Sequence, residues 1–139
     1  MKKLLAIIVI VCACAVSHAQ TLSQQGSLYV YTSALDTNTN ATTSYLYFNG
    51  IPGHVKSMQL TVTKISGTVA GTVIIDASND GVAWVPAGAG DTLTLANQAS
   101  NSGLFPFTGT YYKSYRARFT TTGTQVSSLL ATLVRRQDE

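Results

Sequence analysis

Residues that could perform acid–base or nucleophilic chemistry are scarce in this sequence. The 139 residues include two histidines, two cysteines and six acidic residues. Only Asp76 and Asp80 are spaced so that a hairpin would bring two carboxylates near each other, and His54 directly follows a Pro-Gly turn. An acid–base pair requires surroundings that separate two pKa values, which an exposed hairpin tip does not provide. The sequence therefore predicts a protein that is not an enzyme and needs no cofactor.

The segment from Asp76 to Gly81 has the spacing of the beginning of a calcium-binding loop. Asp76, Ser78 and Asp80 offer oxygen atoms at the first, third and fifth positions, and Gly81 takes the sixth. A complete loop has a bidentate Glu at the twelfth position, where this chain has Ala87. The alternative is a hairpin turn whose Asp and Asn side chains bond their own backbone. The missing ligand favours the turn and leaves Asp76, Ser78 and Asp80 as the only candidate metal ligands.

Two predicted strands alternate tyrosines with other hydrophobic residues, so one face of each strand would be lined by tyrosine. The side chains predicted to point inward are Leu28, Val30, Leu46 and Phe48. The side chains predicted to line an outer face are Tyr29, Tyr31, Tyr45 and Tyr47. An exposed tyrosine has an apolar ring with a polar tip, which suits protein or carbohydrate partners. The alternative is that the core or a second layer covers them. Trp84, the only Trp, is either a core anchor or a further stacking surface.

The first 19 residues have the layout of a secretory signal peptide. Lys2 and Lys3 precede the apolar run from Leu4 to Val16, and Ser17 and Ala19 supply small residues before a cleavage site. The apolar run is shorter than the roughly 20 residues that a membrane-spanning helix needs. The sequence predicts cleavage after Ala19, no membrane span, and export to the periplasm, cell surface or exterior of a bacterial cell, with the surface of a virion as the alternative location.

Both cysteines of the chain, Cys12 and Cys14, lie within this leader. The mature chain would then contain no disulfide and no thiolate metal site, so its core alone would hold it together. The run Val11-Cys12-Ala13-Cys14 also resembles an imperfect lipobox. In that alternative, Cys14 would carry a lipid that tethers the protein to a membrane.

The charge of the mature chain argues against nucleic acid as a partner. The whole chain has a formal net charge of +3, but loss of Lys2 and Lys3 would leave seven basic residues against six acidic ones, a net charge of +1. Domains that bind nucleic acid concentrate basic residues on one surface. Low charge with abundant Thr, Ser, Gly, Ala and Tyr is typical of extracellular and virion β proteins.

Short alternating segments separated by polar, Gly-rich turns predict one all-β domain over residues 20–139. The clearest alternation runs from His54 to Ile65. Tyr111–Thr122 is a second long strand, and Val126–Val134, apolar on both faces, is predicted to be central or covered by a neighbour. Eight or nine strands at this spacing indicate a single antiparallel β-sandwich, either a jelly roll or an immunoglobulin-like Greek key.

Local sequence signals also predict one hairpin and several irregular segments. The hairpin runs from Thr72 through a Ser78–Gly81 corner to a return strand that carries Trp84, since Asn, Asp and Gly tolerate the backbone angles of a tight turn. The polar stretches 21–26, 36–43 and 96–103 are predicted to be a lead-in, a loop and a connection, because they lack hydrophobic alternation.

Two stretches of the chain resemble known protein families. The run from Ser78 to Trp84 resembles the SNDG-x-x-W hairpin of discoidin-like sandwiches, the coagulation factor 5/8 type C domains that bind sugars and lipids. The stretch from Lys64 to Arg135 is similar to small β-sandwich proteins of tailed phages, through the successive motifs KISGTVAGT, SNDG, DTL, YRARF and TGTQ. The phage proteins are virion structural or decoration proteins, so this resemblance implies a structural role.

The sequence thus predicts an exported, non-enzymatic β-sandwich that is a structural or adhesive surface protein of a bacterial envelope or a phage-derived particle. Its partner would be another protein or a second copy, with Met58–Ile65 and Tyr111–Thr122 able to pair or stack between copies. The alternative is a carbohydrate-binding module. The residues of that module's binding surface would be Tyr29, Tyr31, Tyr45, Tyr47 and Trp84.

Overall fold

Two antiparallel β-sheets make up the computed structural model of the protein, which describes residues 20–25, 27–33, 36–51, 54–88, 92–107 and 112–136. The strands are β1 (Thr21–Gln25), β2 (Leu28–Thr32), β3 (Asp36–Thr39), β4 (Thr43–Phe48), β5 (His54–Gly67), β6 (Gly71–Ser78), β7 (Val85–Pro86), β8 (Thr92–Leu95), β9 (Ser100–Pro106), β10 (Ser114–Thr121) and β11 (Gln125–Arg136). The predicted signal peptide with Cys12 and Cys14, and the side chain of His54, lie outside the described residues. No helix long and apolar enough to cross a membrane occurs in the described ranges.

The strand order is that of a jelly roll. One sheet, called here the β11 sheet, has the order β1-β2-β11-β5-β9, and β3 also pairs with β11. The other, the β10 sheet, has the order β4-β10-β6-β7, and β8 also pairs with β6. From β4 onward the chain crosses between the sheets at most connections, as in the two Greek keys of a jelly roll. The predicted antiparallel β-sandwich is confirmed, and the jelly roll is the correct one of its two proposed topologies.

Alternating hydrophobic residues from both sheets form the core. Met58, Leu60 and Val62 of β5 are fully buried, as are Tyr115 and Phe119 of β10. All five belong to one hydrophobic cluster. Burying a large apolar side chain contributes about 1.5–3 kcal/mol, so the register of these strands is strongly specified. The same alternation determines which side chains must point away from the core.

Polar segments without hydrophobic alternation also form strands. β1 and β3 fall in the stretches predicted as a lead-in and a loop, and β9 begins inside the predicted connection. β1 pairs with β2, and every residue of β1 is exposed. Such strands are held by backbone hydrogen bonds, which hydrophobic periodicity does not detect. The described residues therefore contain 11 strands instead of eight or nine.

The two long strands expected to pair between copies lie in the interior of their sheets. β5 is hydrogen-bonded to β11 on one side and to β9 on the other. β10 lies between β4 and β6. Neither strand has a free edge, so the expectation that they pair edge to edge between copies is wrong, whereas stacking between copies stays a prediction. The prediction that Val126–Val134 is a central strand is confirmed, since β11 lies between β5 and the β2 and β3 strands.

Candidate binding site on the outer face of the β10 sheet

Strand β4 turns two tyrosines outward. Leu46 and Phe48 are buried in the core, at 1% and 0% exposure. Because successive side chains of a strand point to opposite faces, Tyr45 and Tyr47 lie on the outer face of the β10 sheet. Both are half-buried, and their ring centroids are 5.8 Å apart. This half of the predicted tyrosine surface has the predicted orientation.

Strands β10 and β6 place arginines and a carboxylate beside these tyrosines. Arg116 is paired in register with Tyr47 on β4 and with Asp76 on β6, and Arg118 is paired with Tyr45. A tryptophan from the turn between β6 and β7 lies against the same group. We call this group the aromatic–arginine face, which consists of Tyr45, Tyr47, Asp76, Trp84, Arg116 and Arg118.

The guanidinium group of Arg116 is in contact with two aromatic rings. Its central carbon is 4.5 Å from the ring centroid of Tyr45 and 4.5 Å from that of Trp84. Tyr47 meets Trp84 edge to face, with ring centroids 5.7 Å apart and an interplanar angle of 67°. Each cation–π contact contributes about 0.5–1 kcal/mol at exposed sites. These contacts hold the three rings and the guanidinium together on one surface.

Asp76 fixes the two arginines by accepting hydrogen bonds from both. Its carboxylate oxygen Oδ2 accepts from Arg116 Nε at 3.0 Å and from Arg118 Nε at 2.9 Å, and Oδ1 accepts from Arg118 Nη2 at 3.2 Å. Asp76 is only 2% exposed, so it needs these charged partners to offset the loss of hydration. The hydrogen bonds to Asp76 raise the pKa of the Arg118 guanidinium.

A hydrogen-bonded turn connects β6 to β7 and is organised by Asp80. Its Oδ1 atom accepts from the backbone N–H groups of Val82 and Ala83, both at 2.8 Å, and from Ser78 Oγ at 2.9 Å. The Ser78 hydroxyl in turn accepts from the N–H of Gly81 at 2.8 Å. The bonds from Val82, Ala83 and Ser78 lower the pKa of the Asp80 carboxyl. The predicted Ser78–Gly81 corner thus forms part of a longer, well-connected turn.

Trp84 is presented by this turn on the outer face. Its Nε1 donates to the carbonyl oxygen of Gly81 at 3.1 Å, and Gly81 has a positive φ of 75°. The return strand β7 comprises only Val85 and Pro86, so the prediction that it carries Trp84 is wrong by one residue. Trp84 is half-buried beside Tyr47 and Arg116 and is not part of the hydrophobic core, so it is not a core anchor, and its use as a stacking surface stays a prediction.

The candidate calcium ligands have other partners. The carboxylate of Asp76 is engaged by two guanidinium groups, while Oδ1 of Asp80 and the hydroxyl of Ser78 belong to the turn. A cation would have to displace these donors to reach the oxygens. Among the residues that the structure describes, no group of three or more His, Cys, Asp or Glu side chains could hold a metal ion.

The other two predicted tyrosines lie on the β11 sheet and face the opposite way from the prediction. Tyr31 packs against the core and is paired with the buried Leu133, whereas Leu28 is 40% exposed. The Arg135 guanidinium carbon lies 4.0 Å from the ring centroid of Tyr29, and Arg135 Nε donates to the hydroxyl of Tyr31 at 3.0 Å. The assignment of Tyr29 and Tyr31 to an outer face is therefore wrong, because tyrosine rings cover the core edge here and an aliphatic residue points outward.

Three residues of this face are not among those that the sequence predicts to form a binding surface, namely Asp76, Arg116 and Arg118. Alternation predicts that both arginines point outward from β10, but it does not reveal which strands lie beside them. Asp76 and Arg116 are 40 residues apart in the chain. The only sequence signal for these three residues is a pair of arginines two positions apart on one strand and a single Asp on another strand.

Comparisons with known proteins assign no family. The sequence matches no protein-family model and no curated protein. Several solved structures are similar in shape. A mutant of CBM29-2, a family 29 carbohydrate-binding module, gives a TM-score of 0.42 at 12% identity, covering 84% of this chain and 75% of that chain.

Two further structures are similar to the same degree. The N-terminal cellulose-binding domain of β-1,4-glucanase C from Cellulomonas fimi gives a TM-score of 0.42 at 12% identity, covering 85% of this chain and 84% of that chain. A subunit of the disulfide-linked pili that form Bacillus endospore appendages gives 0.41 at 15% identity, covering 91% and 97% of the two chains. All three TM-scores are below 0.5, so these similarities give the chain neither a family nor a ligand.

Proposed function

We propose that this protein is an exported, non-enzymatic surface protein that adheres to carbohydrate through the aromatic–arginine face. The observation that carries the proposal is the group formed by Tyr45, Tyr47 and Trp84 around the guanidinium of Arg116. It combines the adhesive role and the carbohydrate-binding alternative predicted from the sequence, with Tyr45, Tyr47 and Trp84 as binding residues and Tyr29 and Tyr31 left out.

The chemistry of this face suits a sugar ligand. A sugar ring has apolar C–H groups that pack on aromatic rings and hydroxyl groups that need hydrogen-bond partners. The face supplies both, because Tyr45 and Tyr47 are half-buried with polar tips and the Arg116 and Arg118 side chains are 16% and 30% exposed. Hydrogen bonds to Asp76 hold the arginines in place, so binding would order few side chains.

The carboxylate of Asp76 is better suited to holding the two arginines in position than to catalysis. Hydrolysis of a glycosidic bond uses two carboxyl groups on either side of the bond, one of them protonated. Asp76 is the only acidic residue of the aromatic–arginine face, and two arginines share it. This supports binding without turnover.

A glycan screen with purified protein tests the proposal. We expect retention by at least one polysaccharide, and we expect Trp84→Ala to weaken that binding at least about tenfold, because truncating a central aromatic anchor costs about 2 kcal/mol or more. Tyr29→Ala, on the other sheet, is the matched control and should bind as the unaltered protein does. If no polysaccharide binds, or if both variants bind like the unaltered protein, the aromatic–arginine face is not a carbohydrate site.

A structural role through self-association is the second candidate, and a different surface favours it. The outward side chains of β5, β9 and β11 over residues 57–63, 100–106 and 128–134 are all Ser, Thr, Gln, Leu, Val or Pro. We call this surface the uncharged face. Leu104 at its edge is 67% exposed. The core of a protein interface is depleted of charge, so two copies could stack these faces without burying an unpaired ion.

A further inference from the structure

The aromatic–arginine face carries one more positive charge than negative charge. Two guanidinium groups, those of Arg116 and Arg118, share the single carboxylate of Asp76. Within the described part of the chain, Asp76 is the only acceptor of a side-chain hydrogen bond from either arginine. One unit of positive charge is therefore left without a counter-charge on this face.

Several N–H donors of the two arginines remain available. Arg116 bonds Asp76 through Nε alone, so neither of its Nη atoms is used in that contact. Arg118 uses Nε and Nη2, which leaves Nη1. Both side chains reach solvent, at 16% and 30% exposure. A planar guanidinium with free Nη atoms is the group that best matches the two oxygens of a carboxylate.

The surroundings hold these donors in position before any ligand arrives. The rings of Tyr45 and Trp84 both contact the Arg116 guanidinium, and each ring centroid is 4.5 Å from its central carbon. Arg118 is held by two hydrogen bonds to the nearly buried Asp76. An unrestrained arginine side chain loses considerable rotamer freedom when it binds a ligand. Here folding has already restricted both arginine side chains, so binding costs less conformational entropy.

We infer that the carbohydrate bound at this face is a uronic-acid polysaccharide, whose carboxylate groups accept hydrogen bonds from the free Nη atoms of Arg116 and Arg118 while its sugar rings pack on the adjacent aromatic side chains. The inference rests on the proposed function and specifies its ligand. An uncharged polysaccharide would leave the surplus charge unmatched. A carboxylate neutralises it and forms charge-assisted hydrogen bonds, which are stronger than neutral ones.

Affinity electrophoresis and calorimetry with purified protein test the inference. The probes are alginate and polygalacturonate as uronic-acid polymers, hydroxyethyl cellulose and glucomannan as neutral polymers, and dextran sulfate as a polymer with a different anion. We expect binding to a uronic-acid polymer that weakens as salt is added, since partly exposed charges are screened. We expect binding to the neutral polymers to be at least about tenfold weaker, because loss of one hydrogen bond to a charged group lowers the affinity by about that factor.

Arg118→Gln and Arg136→Gln form the matched pair of variants. Each removes one positive charge, but Arg136 is exposed at the end of β11 on the other sheet. Arg118→Gln keeps the Arg116–Asp76 pair, so the fold should survive, and thermal melting checks this. We expect Arg118→Gln to weaken uronic-acid binding about tenfold or more, and Arg136→Gln to leave it unchanged within about twofold.

Every other outcome contradicts either the inference of a uronic-acid ligand or the proposed function as a whole. Equal binding of neutral and uronic-acid polymers, or equal effects of the two variants, overturns the inference but leaves carbohydrate binding intact. Preference for dextran sulfate over both uronic-acid polymers overturns the assignment of a carboxylate, because charge alone would then explain binding. Absence of binding to every polymer overturns the proposed function and the inference together.

Discussion

Asp76 is the residue on which the arrangement of the outer face depends. It is nearly buried, it lies on the outward side of β6, and its two oxygens receive three hydrogen bonds from two arginines. Without it, Arg116 and Arg118 would be neighbouring like charges on one strand face, which is unfavourable. A single carboxylate therefore allows two cations to lie beside three aromatic rings.

Replacing this carboxylate should destabilise the fold. We expect Asp76→Ala to lower the free energy of unfolding by about 2 kcal/mol, less than the 3–5 kcal/mol of a fully buried pair because both arginines reach water. Arg118→Ala should cost less, since Asp76 keeps its bond to Arg116. Urea denaturation of the two variants measures both effects. An Asp76→Ala protein as stable as the unaltered one would show that the ion pairs contribute nothing net.

The turn between β6 and β7 is the element that brings the tryptophan to the face. Strand β7 is only two residues long and lies at the edge of the β10 sheet, so it positions little by itself. The bonds from Val82, Ala83 and Ser78 to Asp80 define the path of the turn, and the bond from Trp84 to Gly81 orients the indole. Side-chain acceptors of this kind replace missing backbone partners in turns.

The lowered pKa of Asp80 predicts a dependence of stability on pH. A carboxyl whose folded pKa lies below its unfolded value of 3.8 stabilises the fold above that value, and the contribution is lost as pH falls through the folded pKa. We therefore expect Asp80→Asn to lower the melting temperature at about pH 7 and to make a smaller difference at about pH 2. An equal difference at both pH values would mean that the ionised carboxylate is not what holds the turn.

At the scale of the whole molecule, the sandwich has two outer faces of different character. The β10 sheet presents the aromatic–arginine face, with both signs of charge and three aromatic rings. The β11 sheet presents the uncharged face, where Thr61 is paired with Leu130 on β11 and Ser102 on β9. A subunit built in this way could bind a ligand on one side and a second copy on the other.

Light scattering over a concentration series tests the second surface. If the uncharged face mediates self-association, the mass of the protein should rise with concentration, and Thr61→Glu should return it to that of a monomer by placing an unpaired charge at the centre of the interface. Thr94→Glu is the control, because Thr94 is exposed on the β10 sheet. A monomer at every concentration, or an equal effect of both substitutions, would rule out stacking through this face.

Hydrophobic alternation in the sequence determined the orientation of the core strands. Met58, Leu60, Val62, Tyr115 and Phe119 are buried as the period of two predicts, because burial of apolar area fixes the register of a strand. The same reasoning placed Tyr45 and Tyr47 outward. It failed at β2, where Tyr29 and Tyr31 take the inner side. It also missed β1 and β3, which are held by backbone bonds that side-chain patterns do not record.

Only the tertiary structure decided which outward residues share a surface. The alternation of β4, β6 and β10 gives the direction of each side chain but not the lateral order or register of these three strands, which are far apart in the chain. Pairing of Arg116 with both Tyr47 and Asp76 depends on that order, and so does the contact with Trp84. The alternation was local and could be predicted, whereas the aromatic–arginine face exists because strands distant in sequence are neighbours in the folded sheet.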